Sequence, residues 1–430
     1  MVCSSHSLAA MYLKHVKTRT TCRSCGSSLY PLLSLGNQYV SNFVDGPLEK
    51  YLKAPLELVL CDQSSGGCGL LQLKHTVRPE LMFTRYWYLS GINEAMIAAL
   101  QNVARKAEQM VELSEGDVVL DIGCNDGTLL RSYGPRDVKL VGFEPARNLI
   151  SLAEVGTTKI INDFFNFESF EKHFGGRAKI ITSIAMFYDL DNPNKFVEDI
   201  ARCLDPQGVW VVQMSYLPSM LEQNAFDNIC HEHLEYYSMM ALRNLLERHH
   251  LGIFDVELND VNGGSFRVYV KHANSRLPRG DEDSSSRLKE VDELEKSLGL
   301  DRREPYEKFR LRVQGLKKKL HDFIKAETQQ GKTIYVYGAS TKGNTLLQFC
   351  NLNHRLIKAA ADRNPAKWGK KTVGTLIPII SEEQARADKP DYFLILPWHF
   401  LRVFRQREQV YLRSGGKFIV PLPEFQVING

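Results

Sequence analysis

The chain has 430 residues, of which 43% are hydrophobic and 24% charged, so it can bury more than one core and we expect about two to four domains. Its 54 basic and 50 acidic residues give a net charge of +4, which is too balanced to favour a nucleic-acid or anionic-membrane partner. No apolar run reaches the roughly 18 to 20 residues that a bilayer span requires, and the N-terminus lacks the apolar core of a signal peptide. We therefore expect a cytoplasmic protein without a membrane partner, and a monomer is compatible with these features.

The N-terminal part of the chain is predicted to be a flexible leader over residues 1–21, followed by a turn-rich cap over residues 22–82. The cap has too little apolar sequence for a core of its own and needs an internal staple. Two cysteine pairs, the second with six residues between its members, supply four thiolates: Cys22, Cys25, Cys61 and Cys68. They suit a tetrahedral structural Zn²⁺ without an open position. Two disulfides, which fit the odd total of nine cysteines less well, and unligated thiols are the alternatives.

Residues 83–273 alternate strand and helix patterns, which predicts a parallel sheet covered on both faces. The predicted strands are Val118–Ile122, Leu140–Phe143, Ile160–Asn162, Ile180–Ile184 and Val209–Met214, with two more near 253–258 and 266–271. Residues 274–330 are densely charged and predict a loop and exposed helices that bridge two domains. A second α/β domain follows over 331–430, with predicted strands Thr333–Tyr337, Lys358–Ala361, Tyr392–Leu396 and Lys417–Val420.

The stretch "VVLDIGCNDGTLLRSY" predicts a cofactor loop, Gly123–Gly127, between a buried strand and a helix from about Thr128. The next strand ends at Glu144, where an acid can accept both hydroxyls of a ribose. The third ends at Asp163, which suits the amine of adenine, and Phe164 is available for stacking. The candidate cofactor residues are Asp121, Gly123, Asn125, Asp126, Gly127, Glu144, Pro145, Asp163 and Phe164.

The spacing D-x-G-x-x-x-G in this loop resembles the S-adenosylmethionine loop of class I methyltransferases, which have a Rossmann-like sheet. Two alternatives are a nicotinamide-dinucleotide site, whose usual motif is G-x-G-x-x-G, and a glycine-rich turn that binds no ligand.

The stretch "NICHEHLEYYS" at 228–238 is chemically open to three interpretations: a metal site, a catalytic base or a plain loop. If the segment is extended, His231 and His233 point to one side and Glu232 to the other. Ser238 is a suitable N-cap for the helix that follows, which predicts that the two histidines lie on a loop ahead of it. A complete four-thiolate zinc site in the cap makes a metal less expected here.

The order of these parts resembles the zinc-containing, S-adenosylmethionine-dependent nucleotide-sugar C-methyltransferases, the family of the tetronitrose-type sugar C-3′ methyltransferase. The resemblance covers about 22–425, and its most specific parts are H-E-H-L-x-Y-Y-S and Y-G-A-S-x-K-G-N. It implies a nucleoside-diphosphate 4-keto-deoxysugar, deprotonated next to the ketone and methylated on the resulting enolate. It also implies that His233 is the base, with Glu232 beside it, and that Tyr86 or Tyr88 lies near the sugar.

Two positions depart from this family: Cys230 stands where a tyrosine precedes H-E-H, and Tyr188 stands where a histidine is common. Both are expected near the ketosugar, where Tyr188 can donate to an enolate. The resemblance assigns the nucleotide to the C-terminal domain, with Lys342 as a point charge for phosphate, although the loop can instead simply turn the chain. The candidate substrate residues are His231, Cys230, Asn262, Gly338, Ser340, Lys342 and Asn344, of which Asn262 can also be purely structural.

Two alternatives remain open at this point. One is an O- or N-methyltransferase of another small metabolite on the same scaffold. The other is a non-catalytic, zinc-capped interaction protein that does not bind S-adenosylmethionine.

Overall fold

A computed structural model describes residues 15–134 and 137–430. The strands are β1 Val16–Thr18, β2 Tyr30–Tyr39, β3 Phe43–Val44, β4 Lys53–Leu60, β5 Leu71–Leu73, β6 His75–Val77, β7 Val118–Ile122, β8 Lys139–Phe143, β9 Lys159–Ile161, β10 Ala178–Ile184, β11 Leu204–Ser215, β12 Glu235–Tyr236, β13 Leu251–Asn259, β14 Ser265–His272, β15 Ile334–Tyr337, β16 Ala359–Asp362, β17 Lys371–Thr372, β18 Ile379–Ser381, β19 Tyr392–Ile395, β20 Lys417–Val420 and β21 Gln426–Ile428.

The α-helices are α1 Glu80–Phe83, α2 Glu94–Met110, α3 Ile150–Ala153, α4 Phe167–Phe174, α5 Pro193–Cys203, α6 Leu217–Glu222, α7 Met239–Glu247, α8 Ser284–Leu298, α9 Glu304–Gln329, α10 Thr341–Phe349, α11 Glu382–Ala387, α12 Leu401–Arg407 and α13 Gln409–Arg413. Within residues 15–134 and 137–430, none of them combines the length and apolarity that a bilayer crossing requires.

The predicted leader extends too far into the folded protein. Residues 1–14 lie outside the described residues, but β1 pairs antiparallel with β6. Arg19 follows β1 and forms a 2.8 Å ion pair with Asp191. Buried Val16 and this ion pair hold a segment whose sequence shows no strand periodicity.

The middle of the chain forms a seven-stranded sheet in the order β13-β14-β11-β10-β7-β8-β9. The five predicted strands are present and pair in parallel, whereas β14 runs antiparallel to β11 and β13 antiparallel to β14. The predicted Rossmann-like sheet is therefore confirmed, with two antiparallel strands at one edge. The carboxyl ends of the parallel strands lie together, which is where ligands of such sheets bind.

The helix predicted from about Thr128 is absent, because the chain forms only a 3-10 turn at Leu130–Ser132. The carboxylate of Asp126 accepts both the N–H and the hydroxyl of Thr128, at 3.2 and 2.6 Å. Such side-chain bonds compete with the helical hydrogen-bond ladder.

The C-terminal domain has a six-stranded sheet in the order β18-β16-β15-β19-β20-β21, which confirms the predicted second α/β domain. The predicted bridging helices are α8 and α9. The cap shares strands with both sheet-bearing domains. Strand β12 completes the cap sheet β12-β5-β4-β2, and β17 of the C-terminal domain pairs with β3 of the cap.

Candidate active site

The four cap cysteines converge as predicted. The Sγ atoms of Cys22, Cys25, Cys61 and Cys68 all lie within 4.8 Å of one another. The shortest separations, 3.3 Å for Cys25–Cys61 and 3.7 Å for Cys22–Cys68, are too long for disulfide bonds. Four soft donors of which three are buried fit a tetrahedral zinc. Gln72 Nε2 also donates to Cys22 Sγ at 3.1 Å, so the cluster is tied to strand β5.

Two buried acids mark the cofactor loop at the ends of neighbouring strands. Glu144 follows β8, and its two carboxylate oxygens each accept one backbone N–H at 2.8 Å, from Asn125 and Ala146. Each oxygen keeps a second lone pair for a ribose hydroxyl. Asp121 lies in β7 and accepts from Thr182 Oγ1 at 2.6 Å. Burial raises the pKa of both Asp121 and Glu144 to about 7.

Asp163 and Phe164 follow β9 at the same edge of the sheet, where Asp163 is exposed and accepts the Phe164 N–H at 2.8 Å. Pro145 is the middle residue of the turn in which the carboxylate of Glu144 accepts the N–H of Ala146. These positions fit the predicted adenosine side of the cofactor.

The side chains of Asn125 and Asp126 form hydrogen bonds with a neighbouring segment, Tyr88–Gly91, and do not point into an open cofactor site. Asn125 accepts from Ser90 N and donates to Tyr88 O, at 3.0 and 3.1 Å. Asp126 accepts from Gly91 N at 2.7 Å. These two predicted cofactor residues therefore position the segment that lies against the loop.

Gly127 is required by protein packing. Its φ is +78°, and an added Cβ would lie 2.9 Å from the carbonyl oxygen of Ala153. Gly123, with φ +72°, would place its Cβ 3.2 Å from the side chain of Met186. Both glycines permit the predicted turn, and Gly127 also lets the loop pack against α3.

A tight turn at Cys230–His233, the H-E-H turn, replaces the extended segment considered above. His233 N donates to Cys230 O at 3.1 Å. This brings Cys230, Glu232 and His233 together, with their ligand-type atoms within 4.8 Å of one another. His231 instead faces the cap, where its Nε2 donates to Ala54 O at 3.1 Å. The two histidines therefore do not share a face as they would in an extended segment, because a turn does not alternate its side chains as a strand does.

The tautomer of His233 follows from its partner. Nδ1 lies 2.9 Å from the carbonyl oxygen of Asn228, which can only accept, so Nδ1 carries the proton and Nε2 keeps a lone pair. Burial, aided by the nearby Lys342, lowers the pKa of His233 to about 3. Burial raises the pKa of Glu232 to about 7 and lowers the pKa of His231 to about 4.

Tyr188 packs its ring on His233 with centroids 4.5 Å apart and accepts the Leu234 N–H at 2.8 Å through its carbonyl. It thus holds the H-E-H turn as well as facing it. Burial and nearby Asp189 raise the pKa of Tyr188 well above its usual value, so the residue stays a phenol.

A cleft of about 190 Å³ runs between the cap, the Tyr86–Tyr88 segment and the C-terminal domain. Tyr86, Tyr88 and Glu232 line it together. Burial and the Glu232 carboxyl raise the pKa of Tyr86, and burial raises that of Tyr88 to about 12, so both hydroxyls remain donors. Because Tyr88 also contacts Asn125, the cleft adjoins the cofactor loop.

Lys342 has a different orientation from the one expected of a phosphate ligand. Its ammonium donates to Asn228 Oδ1 at 2.6 Å, so the C-terminal domain brings a positive charge to the H-E-H turn. Ser340 Oγ caps α10 by accepting from Gly343 N at 3.0 Å, and Ser340 lines the cleft. Buried Asn344 donates to Asn42 O of the cap at 3.1 Å.

Two further predicted residues lie in turns. Gly338 has φ +85°, and an added Cβ would lie 2.6 Å from Pro397, so it serves packing. Asn262 has φ +55° in the turn between β13 and β14, which supports its structural interpretation.

Sequence reasoning missed Asn228, which binds both His233 and Lys342, and Asp189, a carboxyl with a buried, unpartnered Oδ1 among the described residues. Asn228 opens the stretch "NICHEHLEYYS", and Asp189 directly follows Tyr188. The sequence feature that could have indicated them is their position, an acid and an amide close in sequence to the predicted reacting groups.

Three family models match successive parts of the chain: an inferred zinc binding domain over 22–83, a methyltransferase domain over 91–253 and a C-methyltransferase C-terminal domain over 260–423. The chain is 32% identical over 382 residues to the C-methyltransferase NovU of Streptomyces niveus, a match that covers 87% of this chain and 88% of that protein.

Among solved structures, an S-adenosylmethionine-dependent methyltransferase from Clostridium acetobutylicum is 13% identical over 41% of this chain and 91% of that one, with a TM-score of 0.33. The N-methyltransferase NodS of Bradyrhizobium japonicum is 12% identical over 42% and 98% of the two chains, with a TM-score of 0.32. Scores this low carry no argument. The family models follow the order of the cap, the seven-stranded sheet and the C-terminal domain.

Proposed function

The chain belongs to the family of zinc-containing, S-adenosylmethionine-dependent C-methyltransferases, and from that premise we propose that it methylates the carbon next to the ketone of a nucleoside-diphosphate 4-keto-deoxysugar. The observation that carries the proposal is the proton-free Nε2 of His233 beside Glu232, in a turn whose glutamate lines a cleft that adjoins the cofactor loop.

Removing a proton from carbon needs a base, a partner for the charge that the base acquires, and a donor for the enolate oxygen. His233 is the proposed base. The carbonyl of Asn228 fixes its ring so that Nε2 can take the proton. The Glu232 carboxylate, within 4.8 Å, stabilises the imidazolium that forms. Without that carboxylate, a buried imidazolium is too costly to form.

The enolate oxygen needs hydrogen-bond donors that stay protonated. Tyr86 lines the cleft with Glu232, and burial keeps its hydroxyl protonated. Tyr188, packed on His233, is a second phenol close to the reacting groups. Lys342 adds a positive charge next to Asn228. The family pattern has a histidine at the position of Tyr188 and a tyrosine at the position of Cys230. We propose that Tyr86, Tyr188 and Lys342 together perform the roles of those two missing side chains.

S-adenosylmethionine, when bound, supplies a methyl group on a sulfonium for attack by the carbanion. The residues proposed to hold it are the acids Asp121, Glu144 and Asp163, with Asn125 and Asp126 positioning the Tyr88–Gly91 segment above the loop. The nucleotide is proposed to lie in the cleft, where Ser340 and Lys367 contribute polar groups from the C-terminal domain.

Solvent deuterium exchange tests this proposal. Nucleotide-linked 4-ketosugars incubated with the enzyme in deuterium oxide, without the methyl donor, should acquire deuterium at the carbon next to the ketone. NMR then locates the methyl group after the donor is added. Methylation on oxygen or nitrogen with no carbon exchange, across a panel of such sugars, would favour the other class of methyltransferase.

A further inference from the structure

The H-E-H turn collects three different metal-binding side chains at one point. Cys230 Sγ, a Glu232 carboxylate oxygen and a His233 ring nitrogen lie within 4.8 Å of one another, the same limit that contains the four cap cysteines. The three residues are only 0%, 7% and 8% exposed. Thiolate, imidazole and carboxylate are the ligands that zinc takes in proteins.

Two of the three ligand groups have no competing partner. Across residues 15–134 and 137–430, neither the Glu232 carboxylate nor His233 Nε2 forms a hydrogen bond, while the backbone N–H of His233 lies near Cys230 Sγ. The second ring nitrogen of His233 donates to the carbonyl of Asn228. This outer contact is the usual one for a metal-binding histidine, and it aims Nε2 at the other two ligands.

The surroundings favour a cation. Asp189, Asp227 and Glu235 each have a buried carboxyl oxygen without a hydrogen-bond partner among the described residues. Two basic residues lie near these acids. The ammonium of Lys342 contacts Asn228, and Arg23 of the cap lies near Glu235. When these buried acids ionise, they outnumber the one lysine near Glu232, and a divalent ion would offset their charge.

We propose that Cys230, Glu232 and His233 form a second metal site, for a divalent ion of the zinc class, open toward the cleft. Three protein ligands leave a fourth position for water or a substrate oxygen. Glu232 lines the cleft and provides the route of entry. Because the ion takes the nitrogen that would accept the proton, its binding inhibits methyl transfer. Only this inhibition depends on the proposed function.

Metal titration of the folded chain tests the site directly. Protein that already contains its cap zinc is titrated with Zn²⁺ and, separately, with Co²⁺, whose thiolate bonds give a charge-transfer absorption. The wild type should bind one equivalent beyond the cap zinc, whereas Cys230→Ala should bind none. Cys350→Ala, which removes another fully buried cysteine in the C-terminal domain, should behave as the wild type.

The proposal is overturned if the wild type binds no additional equivalent, or if Cys230→Ala and His233→Gln retain it. Thermal melting of the variants controls for loss of fold, and Glu232→Gln gives an independent ligand deletion. The activity arm is separate: added Zn²⁺ should inhibit the wild type and Cys350→Ala over the same concentration range in which the additional equivalent binds, and activity that persists when the site is filled would overturn the predicted inhibition. If no ketosugar is methylated, the metal count still decides the site.

Discussion

Glu144 is a buried carboxyl whose proposed task, accepting the ribose hydroxyls of the cofactor, requires its charge. Burial raises its pKa to about 7, and that of Asp121 likewise. Only the carboxylate of Glu144 can accept both ribose hydroxyls, and it is protonated below its pKa. Affinity for S-adenosylmethionine should therefore rise with pH through about 7, and calorimetry should find it roughly tenfold weaker at pH 6 than at pH 8.

The variant Glu144→Gln separates this effect from other titrations. It should bind the cofactor more weakly at pH 8 and lose much of the pH dependence, because a carboxamide does not titrate. A pH dependence equal to that of the wild type would show that another group controls binding.

The two histidines of the H-E-H turn form a matched pair for mutagenesis. His233→Ala should lower deuterium exchange and turnover by about 10²- to 10⁴-fold, the usual contribution of a positioned base. Cofactor affinity should not change. His231→Gln should retain exchange, since His231 contacts Ala54 of the cap. Equal losses of exchange and turnover in both variants would show that the conformation of the turn, and not the base His233, causes the effect.

The positions of the candidate site residues were predictable where strand ends determine them, although their roles remain predictions. Asp121, Glu144 and Asp163 follow from the alternation of strands and helices, and the four cysteines follow from their spacing. The direction of His231 was not predictable, because one hydrogen bond closes a turn in a segment without periodicity. The contact between Lys342 and Asn228 was not predictable either, because 114 residues separate them in the sequence.

At the scale of the element, the cap depends on its cysteines. Protein prepared without added metal should contain about one zinc, since the four thiols fit a closed site. Cys25→Ala should lose that metal and melt at a lower temperature, because metal binding supplies folding free energy to such small domains. Elemental analysis and calorimetric melting measure both effects, with Cys350→Ala as the control.

A Cys25→Ala variant that kept its zinc and melting temperature would remove the structural role of the metal. The cluster has a further contact through Gln72, which donates to Cys22 and stands in β5 opposite Glu235 of β12. Loss of the metal should therefore also destabilise β12, the strand that follows the H-E-H turn.

The helices and strands of the two sheets were largely predictable from hydrophobic periodicity, and the sheet order was not. The short cap strands and the 3-10 turn at Leu130–Ser132 escaped prediction for local reasons. β1 is held by β6 and Asp191, and Asp126 competes for the backbone where a helix was expected. Such contacts leave no period in the sequence.

At the scale of the molecule, the C-terminal domain supplies a positive charge beside the H-E-H turn. Lys342→Met removes the ammonium that contacts Asn228, so it should lower kcat/KM at least tenfold without changing cofactor affinity. Steady-state kinetics with a ketosugar and calorimetry with the cofactor measure the two quantities. Lys358→Met, at an exposed position of the same domain, is the control.

A Lys342→Met enzyme with the kcat/KM of the wild type would restrict the C-terminal domain to holding the nucleotide. The domain limits at 22–82, 83–273, 274–330 and 331–430 remain predictions. Strand pairs cross them: β12 completes the cap sheet, and β17 pairs with β3.

The position of β12 in the cap sheet has a consequence for how the chain is made. The ribosome releases the cap strands first, but their sheet lacks its edge strand until Glu235 and Tyr236 have emerged. The exposed edge of β5 therefore waits for most of the middle domain to be synthesised. Unpaired strand edges invite association between chains. Early metal capture by the cysteines would hold the cap strands together during this period, although the edge of β5 stays unpaired until β12 emerges.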